Sequence, residues 1–268
     1  MIPRAGLSPM SRFSNLEFES ESDSGFQTEP AGVVRDGTFY MRDAQAAFEE
    51  GDFERALRSF ARVLEDDPKN PVPWTGQVRM LIELGEFREA KLWADKALEQ
   101  FPREPELLAS KASALARNGD LNTALAFSDA SFKERGSSPY IWIARGDVLL
   151  ARTEATGDYC FEKAVNLDPA NWFHRWLIAR VHYHYERFAV ALKILQQALT
   201  LDATRAVLWL QLGLCQRRMG LNTAAEGSIA HALQLNPRHA TARSELNSVA
   251  ETGLLSRLSG RLRHLFSK

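Results

Sequence analysis

Apolar residues in this chain recur at steps of three and four. In "EGDFERALRSFARVLEDDPKNP" (residues 50–71), Phe53, Ala56, Leu57, Phe60, Val63 and Leu64 share one side of a predicted helix, and polar residues fill the other. The same order of residues returns in "LGEFREAKLWADKALEQFPREPE" (84–106), "NGDLNTALAFSDASFKERG" (118–136) and "MGLNTAAEGSIAHALQLNPRH" (219–239). A glycine just before each such run can end a preceding helix in a left-handed conformation at no steric cost. A late proline cannot continue the helix and marks the next boundary. Each block is therefore predicted to be a helical hairpin.

Aligning on the glycines gives blocks 37–70, 71–104, 105–138, 139–171 (one residue short), 172–205 and 206–239. Tryptophans stand near the starts (Trp74, Trp142, Trp209), with a small residue four later (Val78, Gly146, Gly213). Turn glycines follow (Gly51, Gly85, Gly119, Gly220), then a mid-block alanine (Ala56, Ala90, Ala124, Ala191, Ala225) and the late proline (Pro68, Pro102, Pro169, Pro237). This 34-residue grammar over roughly 37–239 resembles the tetratricopeptide repeat (TPR) family. The resemblance implies an all-α, right-handed superhelical solenoid of about six hairpins, with first helices lining a concave groove and second helices forming the back. One hairpin cannot bury its apolar face alone, so neighbours must stack. Residues 240–252, "ATARSELNSVAET", repeat the first-helix pattern in more polar form, as an end cap would, and 253–268 is expected to add a further helix.

The blocks are not uniform. "ARTEATGDYCFEKA" (151–164) lacks the turn glycine and places Gly157 where the alanine is expected, which predicts a local kink; "KERGSSP" and Ala203 replace the late proline in the third and fifth blocks, predicting looser junctions. In the fifth block the tryptophan is shifted by one place to Trp176, while Ala179 keeps the small-residue slot. One place is a rotation of about 100°, which would turn Trp176 toward the concave face, where Phe173, Arg180, Tyr183 and His184 also fall. Neighbouring first helices would add Tyr140 and Asp147, and Arg217 and Arg218. Aromatic residues with arginine are the composition of a binding hot spot, with Arg79 and Arg117 as an extension. The alternative is that Trp176 fills a gap left by the irregular fourth block.

Catalytic signatures are missing from the sequence. His182 and His184 in "FHRWLIARVHYHYE" are two apart and point to different sides of a helix, so no pair there has metal-ligand spacing. No phosphate loop or nucleophile elbow occurs. No enzyme, cofactor or metal is expected. Members of this family that bind acidic chaperone tails use a Lys and Asn clamp; Met41, Gln45, Gly76, Glu106 and Ser110 stand at the matching places, which disfavours that subtype.

The composition is 45% hydrophobic and 25% charged with a net charge of −1, so no global field draws the chain to nucleic acid. With no signal-like run at the start and no stretch near the ~20 residues of a membrane span, a cytoplasmic protein is expected. Cys160 and Cys215 sit in apolar helical patterns and read as small buried hydrophobes. Residues 1–36 read as a disordered acidic arm, within which "SRFSNLEFES" (11–20) is either a docking motif, for a partner or for the chain's own groove, or a solubilising tail. "GLLSRLSGRLRHLFSK" (253–268) is a basic amphipathic helix that could pack on the last repeat, bind a partner or lie on a membrane surface. The expected function is a non-catalytic scaffold or adaptor presenting its groove to a protein or peptide ligand, with a peripheral membrane adaptor as the alternative.

Overall fold

The structure is a computed structural model, and it describes residues 36–134 and 137–248. The arm before residue 36, the last part of the cap and the basic segment 253–268 lie outside the described residues, as does the middle of the "KERGSSP" junction.

Among the described residues the fold is all-α, built from consecutive helix pairs: α1 (Gly37–Glu49) with α2 (Phe53–Asp66), α3 (Pro71–Leu84) with α4 (Phe87–Gln100), α5 (Pro105–Arg117) with α6 (Leu121–Lys133), α7 (Pro139–Ala151) with α8 (Gly157–Leu167), α9 (Trp172–His184) with α10 (Phe188–Leu201), and α11 (Ala206–Arg218) with α12 (Asn222–Leu235). A further helix, α13, covers 240–248. The described residues fall into two compact units. One is drawn from Met1–Phe48 and Asp52–Glu134, the other from Glu49–Gly51 and Arg135–Lys268.

All six pairs turn through a residue with positive φ. Four are the expected glycines, Gly51, Gly85, Gly119 and Gly220; the other two are Thr153 (φ 59°) and Glu186 (φ 58°). The turn in the irregular fourth block closes like the others: Thr153 N–H donates to the Leu150 carbonyl and Glu154 N–H to that of Leu149, both at 2.9 Å, matching Gly85 to Ile82 and Glu86 to Leu81. These are the two bonds of a Schellman cap. The expected kink is thus replaced by an ordinary turn held by a strained residue, since Cβ crowding in this region costs about 1–2 kcal/mol.

The missing residue is absorbed just after that turn. Ala90 is the fourth residue of α4, whereas Gly157, in the same slot, is the first of α8. The slot is a close contact in every pair, and its alanines are fully buried. A Cβ on Gly157 would lie 3.3 Å from the Gly146 carbonyl oxygen.

Core packing is complementary within the pairs. Gly146 leaves its backbone bare for the Phe161 ring and Gly213 does so for Ile229, where a Cβ would overlap the neighbouring side chain. Where the first helix carries the larger Val78, the second carries Ala94, and both are buried. Such matching keeps the interior at crystal-like density. Cys160 and Cys215 are buried free thiols, and burial pushes the Cys215 pKa up to about 12. The last pair is covered by α13, whose Ala242 packs in a cluster with Leu210, Ile229 and Ala232.

A side chain at the fourth place of the helix ties α3, α9, α11 and α13 back to the loop before each, whereas α5 carries the apolar Leu108 at that place. Trp74 Nε1–H donates to the Pro68 carbonyl (2.9 Å) and Trp209 Nε1–H to that of Ala203 (2.8 Å). Where the tryptophan is displaced, arginine makes the same bond six residues back: Arg175 to the Pro169 carbonyl (2.7 Å) and Arg243 to that of Pro237 (2.5 Å).

Candidate functional site

The first helices of the second unit carry most of the residues expected to form a binding face. The structure corrects the expected position of Trp176. Its side chain is fully buried (0% exposed) and packs beside Trp172 and Phe173, with ring centroids 6.4 and 5.4 Å away. Trp172, Trp176 and Ala179 lie on one row of α9 at helical spacing, and all are inside. Trp176 is a packing residue under the surface.

The arginines around it are engaged within the fold. Arg180 on α9 stands 5.3 Å from the Trp176 ring and donates through Nη1 to Gln211 Oε1 on α11 (3.2 Å). Arg217 at the end of α11 forms an ion pair with Glu245 of α13 and reaches Ser248 Oγ at 3.4 Å. Arg218 pairs with Glu186 Oε1 (3.1 Å), the residue held in the left-handed turn, and lies 5.0 Å over the Phe188 ring. Tyr183 meets the same Phe188 edge to face at 5.3 Å. Burial raises the pKa of its hydroxyl, with Arg218 opposing the shift.

His184 is exposed and packs edge to face on Tyr185 at 4.7 Å. The Tyr185 hydroxyl donates to Asp147 Oδ1 (2.8 Å), so Asp147, 2% exposed, joins α7 to the end of α9. Phe173 and Tyr140 are half-buried. Three separate groups result, Trp176–Arg180–Gln211, Tyr183–Phe188–Arg218–Glu186 and Arg217–Glu245, each binding one helix to the next. His182 lies inside, 5.0 Å from the Phe161 ring, and its pKa is lowered to about 4, first by burial and then by the charge of Arg187. Among the described residues no group of three or more His, Cys, Asp and Glu could hold a metal ion.

The first unit holds an open cleft that sequence reasoning did not single out. Met41, Gln45 and Phe48 of α1, Val72, Thr75, Gly76 and Arg79 of α3, and Glu104 and Glu106 at the start of α5 line it, with Phe60 beneath. Gly76 is needed there because the Phe60 ring lies where its Cβ would be. Phe48 is buried while Val72, at the start of α3, is 58% exposed. Arg79 lies 5.0 Å over the Phe48 ring. Burial pushes the Glu104 carboxyl up from its ordinary value; the Glu106 backbone N–H opposes this and the Glu106 charge adds to it. Among the described residues neither Glu104 nor Glu106 has an ion-pair partner. The signal available in sequence was the shared second place of Val72, Glu106, Tyr140 and Phe173 in their blocks, which puts one side chain per repeat on a common face.

A family model described as Tetratricopeptide repeat matches residues 47–114. Together with the 34-residue frame and the paired helices, this match supports a protein built from tetratricopeptide repeats. Among solved structures it is similar to a chain in "Crystal structure of APC/C hetero-tetramer Cut9-Hcn1", at 14% identity and TM-score 0.45, covering 80% of this chain and 49% of that one. It is also similar to YrrB, titled a TPR protein with an unusual peptide-binding site, at 16% identity and TM-score 0.40, covering 71% and 98%. The chain thus spans about half the length of the Cut9-Hcn1 chain it matches. A search of curated proteins gives no match. No helix among the described residues is long and apolar enough to cross a membrane.

Proposed function

We propose that this protein is a non-catalytic scaffold that binds a peptide or protein partner on its first-helix faces. The observation that carries this reading is the cleft between α1, α3 and α5, which combines an exposed Val72 with carboxylates that lack a cation of their own. An exposed apolar side chain beside carboxylates without a cation offers a partner an apolar contact and a charge to pair with at one place. On the α9 and α11 face, partner contact falls to Phe173, Tyr183 and His184, with Tyr140 flanking them, while Arg180, Arg217 and Arg218 hold the helices on which they sit.

Affinity capture on the full chain tests this when wild type is compared with Val72→Asp and with Tyr183→Ala/His184→Ala. Val72 is largely exposed, so the first variant should keep its stability within about 0.5 kcal/mol and lose partners that wild type retains. An identical set of captured proteins from wild type and both variants, each with an unchanged melting curve, would remove the proposal.

A further inference from the structure

The cleft of the first unit has a mixed chemistry that narrows what can fill it. Its floor is apolar (Met41, Phe48, Phe60), one rim carries Glu104 and Glu106, and Arg79 adds a single positive charge. A fitting ligand offers a large apolar side chain next to a cation, with acidic groups further along.

The chain supplies such a segment from its own N-terminal side. In "SRFSNLEFES", Arg12 precedes Phe13, and Glu17 and Glu19 follow around Leu16 and Phe18. The described chain starts at Asp36, whose side chain caps α1 by accepting from Phe39 N–H (2.9 Å). Met41, Gln45 and Phe48 of that same helix form one wall of the cleft, so whatever precedes Asp36 joins the fold about one helical turn from the site. The connection between Phe18 and Asp36 can span roughly 60 Å when extended, whereas all of α1 is about 20 Å long. Reach is no obstacle, and tethering at this distance gives an effective concentration on the order of millimolar.

We propose that residues 11–20 occupy this cleft in the same molecule, with Phe13 on the apolar floor and Arg12 against Glu104 and Glu106. This rests on reading the cleft as a binding face, and it makes any outside partner a competitor of the chain's own segment. A weak intramolecular ligand then sets a threshold: the apparent affinity of a partner falls by the fraction of molecules whose cleft is closed.

The test uses the full chain with a benzophenone-bearing phenylalanine analogue in place of Phe13, irradiated at low concentration and read by peptide mass spectrometry. The expected result is an intrachain cross-link to the peptides containing Met41 or Val72, with no hybrids when isotopically light and heavy chains are mixed. Cross-links between chains, cross-links only elsewhere, or none at all would overturn the proposal. A charge exchange sharpens it: Arg12→Glu should lower the yield at least tenfold, and adding Glu104→Lys/Glu106→Lys should restore it. No restoration, with the melting curve unchanged, removes the assigned ion pair and with it this placement. In protein without the benzophenone group, Arg12→Glu should also speed amide exchange over α1, whose Met41, Gln45 and Phe48 line the cleft, and equal exchange counts against the proposal. Partner capture by the same preparations keeps the two readings apart. Capture that persists without the cross-link leaves the scaffold reading standing alone, and a cross-link without capture leaves the cleft as an internal seat.

Discussion

The first-helix faces of the two units differ in how their charges are used. On α9 and α11 every arginine of the expected cluster already has a partner: Gln211 for Arg180, Glu245 for Arg217, Glu186 for Arg218. On α3 and α5 the polar groups at the cleft include two half-buried carboxylates without a cation, beside an exposed valine. Aromatic residues with arginines have the composition of a hot spot, yet the same composition joins one helix to the next when acids and amides stand at the right spacing. What separates the two faces is satisfaction, and residue type alone does not report it.

The largest effect that could break this contrast is at Trp176. Truncating a fully buried tryptophan costs about 3–5 kcal/mol, so Trp176→Ala should lower the melting temperature of the second unit sharply. A variant that melts like wild type and loses only partner binding would return Trp176 to the surface role first expected for it.

Acid should separate the units next. His182 is held neutral, with its pKa lowered to about 4 from an unfolded value near 6.5. Because the folded value is the lower one, the unfolded state binds the extra proton; stability is fully present above about pH 6.5 and is lost as pH falls toward 4. The first unit has no histidine. Burial pushes its Asp43 and Asp95 up, but bonds from Arg55 and Ser59, and from Lys111 and Lys91, prevail and hold both below 3.8, so their contribution goes only at lower pH. Hydrogen exchange at pH 5 against pH 7.5 should show α8 and α9 opening before α3 and α4, and His182→Gln should flatten the difference. Uniform loss across both units would contradict the assignment.

A smaller gain is expected at the fourth turn. Thr153→Gly removes a β-branched side chain from a left-handed position and should stabilise by about 1 kcal/mol after the added chain entropy of glycine. Glu186→Gly should gain less, since it also deletes the partner of Arg218. Equal gains would mean that this ion pair contributes nothing. The smallest effect belongs to Arg218→Ala: its pair with Glu186 is exposed, so a loss under about 1 kcal/mol is expected, visible as a small downward shift of the melting curve that high salt reduces. A shift unaffected by salt would assign the contact to packing on Phe188.

The frame of the fold was legible in the sequence because it rests on local signals: glycine at four of the six turns, alanine in the close-contact slot, and apolar steps of three and four. Thr153 and Glu186 were not legible, since neither residue favours a left-handed backbone and the conformation is imposed by the helices on either side. Arg175 gave no warning that it would replace an indole N–H, because the equivalence is one of reach and donor geometry and not of residue class. Trp176 was expected on an open face and lies inside; how far neighbours cover a face is a property of several helices at once. The cleft required Met41, Val72 and Glu106, about thirty residues apart in steps, to be brought together, and only the stacked pairs do that.

The bond from the fourth place of α3, α9, α11 and α13 to a carbonyl six residues earlier has a consequence for cutting this protein into cassettes. The loop before α3, α9, α11 and α13 is strapped to the helix that follows it, by Trp74, Arg175, Trp209 or Arg243. A module excised at the helix start would leave its own clamp behind on the neighbouring piece, and the indole or guanidinium would lose its acceptor. The natural seam lies ahead of Pro68, Pro169, Ala203 and Pro237, so that loop and strap travel together; and because tryptophan and arginine already exchange at this place, cassettes bearing either should be interchangeable at their junctions.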